Sequence, residues 1–114
     1  MSARVFGSGS SSYPGNVFPN GDIVDGQGIR RGRISPQGEL RDNHGRLIGR
    51  IYQNGEFTNI VGRSARLQMV PNGDIRVRDE TIGRVQIAWG MKIPDLYVAY
   101  AAAFLLNRPT WVWQ

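Results

Sequence analysis

Apolar positions along the chain recur in a fixed phrase, not at a helical period. Val17-Phe18-Pro19-Asn20-Gly21-Asp22-Ile23, Ile34-Ser35-Pro36-Gln37-Gly38-Glu39-Leu40, Ile51-Tyr52-Gln53-Asn54-Gly55-Glu56-Phe57 and Met69-Val70-Pro71-Asn72-Gly73-Asp74-Ile75 share one order: apolar, three residues, glycine, acid, apolar. Gly21, Gly38, Gly55 and Gly73 fall 17, 17 and 18 residues apart. Self-similarity at a fixed spacing marks a repeat architecture, in which a unit too small to hide its own apolar side is covered by the next. A weaker copy opens the chain at Val5-Phe6-Gly7-Ser8-Gly9, with Ser10 in place of the acid, which makes five units with the first one short.

The second half of the unit ends in a small residue, an arginine and an aliphatic: Gly32-Arg33-Ile34, Gly49-Arg50-Ile51, Ala65-Arg66-Leu67 and Gly83-Arg84-Val85. Ala3-Arg4-Val5 fits the same words. The chain then begins where a unit ends, and its first strand is expected beside its last, closing a ring. Within a unit, Asn-Gly between apolar positions is a turn signal, because glycine accepts positive φ and asparagine tolerates it. Glu39-Leu40-Arg41-Asp42 alternates as a half-buried strand does, Asn43-His44-Gly45 turns again, and Arg46 to Ile51 returns. A unit of this length holds two short strands and two turns, with no room for a helix. The third unit is the most degraded, since Asn59-Ile60-Val61-Gly62 replaces the Asp-led second turn and Ala65 stands where glycine is usual. The fourth slips at Arg76 to Thr81 but still alternates.

The pattern stops after Gly90. Asp95 to Leu106 carries no charge after its first residue, contains a run of alanines and is bracketed by Pro94 and Pro109, which predicts a short apolar helix; Leu-Tyr-Val and Phe-Leu-Leu also suit a strand. The segment is too short to span a bilayer. Being apolar on every face, it needs cover. It can lie across the mouth of the ring, form a subunit interface through Leu96, Tyr100, Phe104, Trp111 and Trp113, or touch a membrane surface. The expected fold is all-β: a closed ring of five pseudo-symmetric two-strand repeats over residues 1–92, with an apolar helix and tryptophan-containing tail over 93–114 packed on it or on a partner.

A chain of 114 residues is one domain's worth. It has no cysteine, which excludes disulfides and thiolate metal sites, and its N-terminus shows no apolar run of signal-peptide length, which mildly favours the cytoplasm. Net charge is +5, and Lys92 is the only lysine among 14 basic residues. Arg33, Arg50, Arg66 and Arg84 share one repeated place and Asp22, Glu39, Glu56 and Asp74 another, so the stacked units are expected to form rings of opposite charge that pair between neighbours. That ladder is the stronger reading over a phosphate-binding patch, and it makes nucleic acid an unlikely partner.

Candidate chemistry is sparse. His44, the single histidine, sits in a turn with no second imidazole or thiol for a metal, and the serines gather between Ser8 and Ser12, a polar loop that cannot position a nucleophile. The acids are repeated copies, whereas an active site brings unlike groups to one point. No catalytic residue, metal site or cofactor is therefore expected. Tyr13, Tyr52 and Phe57 fall in or beside turns, where rings can stack on a sugar or base.

With Val70-Pro71-Asn72-Gly73-Asp74-Ile75, Leu40 to Ile51 and the alanine-rich end at Ala99 to Leu106, the chain resembles the five-fold β-flower proteins, small bacterial proteins, over about Val5 to Leu106. The resemblance implies a closed all-β ring of five petals and brings no catalytic residues and no established activity. The functional expectation is a non-enzymatic structural or binding module that self-associates through its C-terminal apolar segment. The alternative is a module that binds a glycan or another polymer through its turn aromatics.

Overall fold

The computed structural model describes residues 2–7, 13–77, 79–88, 90–91 and 93–106. Ten strands follow one another: β1 (Ala3–Gly7), β2 (Gly15–Val17), β3 (Asp22–Asp25), β4 (Arg30–Ile34), β5 (Glu39–Asp42), β6 (Leu47–Ile51), β7 (Glu56–Asn59), β8 (Ser64–Met69), β9 (Asp74–Val77) and β10 (Glu80–Gln86). Each pairs antiparallel with its sequence neighbours, and β1 pairs with β10 through Arg4 with Gln86 and Gly7 with Gly83, so the sheet closes into a barrel without an edge. The expected closure of first strand on last is what the chain does.

Two sets of turns cap the two ends, and their backbone geometry is the same. At one end Gly21, Gly38, Gly55 and Gly73 donate to the carbonyls of Phe18, Ser35, Tyr52 and Val70, three residues back. At the other, Gly28, Gly45 and Gly62 donate in the same way to Asp25, Asp42 and Asn59. All seven glycines have φ between 82° and 96°, the left-handed conformation that follows a type I turn in a bulged hairpin. The repeat is therefore doubled, with one turn chemistry used at both ends of the barrel.

Three features depart from the reading of the sequence. Ala3-Arg4-Val5 runs antiparallel to Gly83-Arg84-Val85, so it is not a copy of that phrase; the first copy is Gly15-Asn16-Val17 on β2, and the first hairpin is β1 with β2. Gly7, read as part of a turn copy, lies in β1, and Ser8 to Ser12 fall outside the described residues. The third unit is not degraded at its turn. The Asn59 side-chain oxygen accepts the backbone N–H groups of Val61 and Arg63, as the Asp42 carboxylate accepts those of His44 and Arg46. An amide oxygen meets that demand as well as a carboxylate does.

The expected apolar helix exists as α1 (Asp95–Leu105), and it lies inside the ring, not across its mouth. Tyr97 to Ala103 are all buried, and the helix packs on β1, β2, β3, β4, β8 and β10. Tyr97 sits by Gly38 at the Asn-Gly end, while Tyr100, Phe104 and Leu106 sit by Gly49, Gly32 and Gly83, one repeated position on three strands.

Side chains alternate in and out along each strand. Ala3, Val5, Val17, Ile23, Ile34, Leu40, Ile51, Phe57, Leu67, Ile75 and Val85 point inward and are fully or almost fully buried. The glycine of the Gly-Arg-aliphatic phrase points inward as well, the arginine outward. A β-carbon at Gly49 would stand 2.6 Å from the Tyr100 hydroxyl and 2.7 Å from the Thr58 carbonyl oxygen; at Gly83 it would meet the Leu106 side chain and the Phe6 carbonyl. The repeated glycine is the clearance through which the helix fits, and the alanines of α1 keep the helix thin enough to use it.

Candidate functional site

Because the lumen is filled by the chain's own helix, binding groups have to be sought on the outer wall and on the two rims. Among the described residues no three His, Asp or Glu side chains come together in a way that could hold a metal ion, and no helix is long and apolar enough to cross a membrane.

The sequence-derived candidates separate. Phe57 is fully buried, with its ring stacked on Tyr100 at 5.0 Å between centroids, so it is a core residue and not a ligand-binding ring. Its alignment with Ile23, Leu40 and Ile75, all core positions, was the signal for this. Tyr52 follows β6 at the Asn-Gly end and is exposed, whereas Tyr13 precedes β2 at the opposite end; the two do not form one platform. Of the proposed interface residues, Tyr100 is buried in the lumen and Leu96 and Phe104 are half-buried against the core, because the barrel has taken the helix face that a partner would have needed. Trp111 and Trp113 lie outside the described residues.

On the rim of Asp-led turns, apolar side chains stand in solvent. Ile60 and Val61 are 68% and 63% exposed, Ile29 55% and Leu47 37%. Leu47, Ile60 and Val61 are neighbours through the sheet, and Ile29 stands on the same rim in the β3 to β4 turn. Ile60 donates its N–H to the Ile48 carbonyl, and continuing the β6 to β7 register past Gly49 and Asn59 sets Leu47 opposite Val61. The turn does not require them, since the same loop geometry is made by Gly26-Gln27 and Asn43-His44 in the two preceding hairpins.

The opposite rim carries a groove of about 600 Å³ where β10 leaves the barrel and α1 enters it. Ser2, Arg4, Asn72, Gln86, Ile87 and Asp95 contribute to its lining.

Charge on the wall is unevenly arranged. A set of ion pairs gathers between Asp22 and Arg50: Arg30 and Arg33 with Asp22, Arg31 with Asp25, Arg41 and Arg50 with Glu39, and Arg46 with Asp42. The repeated partners pair inside one hairpin, Arg33 with Asp22 at 2.9 Å and Arg50 with Glu39, where the sequence pointed to pairing between units. The Arg50 guanidinium holds the Glu39 carboxyl below its usual range. Asp25 and Asp42 are lowered chiefly by backbone N–H donors, from Ile29 and from Arg46. Arg66 and Arg84 stand opposite Glu56 and Asp74 in register, yet neither comes within ion-pair distance. The ladder is thus built on half of the barrel only.

No protein-family model, no curated protein and no solved structure matches this chain.

Proposed function

We propose that this chain is a non-enzymatic binding module of the five-fold β-flower kind, and that it self-associates through the apolar rim of Ile29, Leu47, Ile60 and Val61, not through the helix. One observation carries the reading: Ile60 and Val61 are exposed at a turn whose geometry two sister turns make with polar residues. Holding such side chains in water costs folding nothing but wastes about 1.5–3 kcal/mol of burial for each, which a second copy can recover. Contiguous exposed apolar groups on a small soluble domain mark contact sites. A two-fold arrangement of rims would bury the same patch from both copies. The polymer-binding alternative would have to use Tyr13 and Tyr52 separately, one at each end of the barrel.

The test grafts the sister sequence onto the turn, Ile60→Asn with Val61→His, which the loop conformation accepts. Light scattering after size exclusion is expected to give at least twice 12.7 kDa for the parent chain and 12.7 kDa for the graft. A parent chain of monomer mass at every loading concentration up to about 1 mM would overturn the proposal.

A further inference from the structure

The wall formed by β8, β9, β10 and β1 is a second feature, independent of the rim. Arg4 on β1, Arg84 on β10, Arg76 on β9 and Arg66 on β8 occupy four consecutive strands, and among the described residues no carboxylate lies within 4 Å of any of them. Two of the guanidinium groups are held in place by rings. Arg4 lies over Tyr13 at 5.8 Å from its centroid, Arg84 over Phe6 at 5.9 Å, and the two rings meet edge to face at 5.8 Å. Arg76 is tethered by its bond to the Asp79 carbonyl, 3.1 Å.

We infer that this face, β8-β9-β10-β1, binds single-stranded nucleic acid by its phosphates. A guanidinium stacked on a ring keeps its planar N–H edge free and has lost much of its rotamer freedom beforehand, so less entropy is spent when an oxyanion docks. Arginine, not lysine, is the residue that takes phosphate oxygens two at a time. Strands about 4.8 Å apart spread the four arginines across roughly 14 Å of wall. That wall is convex. A stiff duplex touches a convex surface along one line, whereas a flexible single strand can follow it and bring successive phosphates to successive arginines. Tyr13, 37% exposed, offers a ring on which a base can stack where the row ends. The groove next to Arg4 continues the face toward the Asn-Gly rim and is lined by Ser2, Asn72, Gln86 and the acidic Asp95.

Fluorescence anisotropy with a labelled twenty-nucleotide oligothymidine tests the inference on the full chain. Four phosphate contacts predict a slope of log affinity on log salt of about −3. Arg4→Gln with Arg84→Gln is expected to weaken binding about tenfold or more and to reduce the slope by about one and a half. Arg33→Gln with Arg50→Gln removes the same charge from the paired half, and is expected to change affinity less than about twofold. Far-UV circular dichroism and melting temperature confirm that both variants are folded. The inference is overturned by no anisotropy change at 50 mM salt, by equal losses from the two double variants, or by equal affinity for a duplex of the same length. Tighter binding of a sulfated glycan than of the oligonucleotide, in competition, would also overturn it.

Discussion

Among the described residues Tyr100 is the largest fully buried side chain, it is stacked on Phe57, and its hydroxyl has no hydrogen-bond partner. Replacing Tyr100 by Phe removes that oxygen and leaves the ring, its stack and its clearance past Gly49 in place. A buried hydroxyl without a partner costs about 1–3 kcal/mol, so Tyr100→Phe is expected to stabilise the fold by about 1 kcal/mol or more. For a domain of this size that is a rise of roughly 4 °C in melting temperature. The pH dependence provides a second reading of the same burial. Burial raises the Tyr100 pKa above its ordinary value near 10. Below that value both folded and unfolded chains keep the proton and the group contributes nothing. As pH rises above 10 the unfolded chain releases the proton while the folded one holds it, so stability falls by up to about 1.4 kcal/mol per pH unit. The variant lacks only this hydroxyl, so the difference between the two proteins isolates Tyr100. Urea unfolding at pH 9 and pH 11 should show the parent losing more stability than Tyr100→Phe across that interval. A variant less stable than the parent by 1 kcal/mol, or equal losses in the two proteins, would refute the argument.

Glycines with the same φ should differ in what they tolerate. Gly45→Ala meets nothing within 4 Å and is expected to cost only the left-handed strain, about 1–2 kcal/mol, whereas Gly38→Ala drives a methyl into the Ile51 carbonyl and against Tyr97, and should cost at least twice as much by chemical denaturation. Asn59→Ala deprives Val61 and Arg63 of their N–H acceptor and should cost about 1–3 kcal/mol; Asn59→Asp, the residue of the sister turns, should recover at least half of that, and equal losses would show that the side-chain oxygen is not what holds the turn. A chain ending at residue 92 loses Ile93, Val98 and Tyr100 from the core, each worth about 1.5–3 kcal/mol, and leaves the lumen empty. It should show no cooperative melt by near-ultraviolet circular dichroism, and retention of one would mean that the barrel stands without its plug.

Much of the fold was legible from residues because its signals are local. A glycine at a fixed place after Pro-Asn or Gln-Asn makes its turn from the conformational preferences of four residues, and alternation beside it needs only the strand period. Ring closure was expected because Ala3-Arg4-Val5 reads as the end of a unit; β1 does close on β10, although that phrase runs antiparallel and is not such a copy. Charge pairing was half legible. Asp22 with Arg33 and Glu39 with Arg50 form, whereas Glu56 with Arg66 and Asp74 with Arg84 stand in the same register and do not pair, for which the structure shows no cause. The register of β8 against β9 was not legible at all. Ala65 pairs with Phe57 on one side as Gly49 pairs with Leu40, while on the other it is Leu67, two residues on, that stands opposite Val77. Such a shift depends on pairings either side of a strand, and no window of the chain contains both.

By itself, then, the sequence determined the turns, the strands, their number and the order in which they close, all of which follow from short-range backbone chemistry repeated at a period. The tertiary structure decided where the apolar segment from Asp95 to Leu105 goes, which turned an expected lid or interface into the core. The reason is one of volume: a ten-stranded ring encloses a space that the inward side chains of its strands do not fill, and a thin, alanine-rich helix passing the inward glycines fills it.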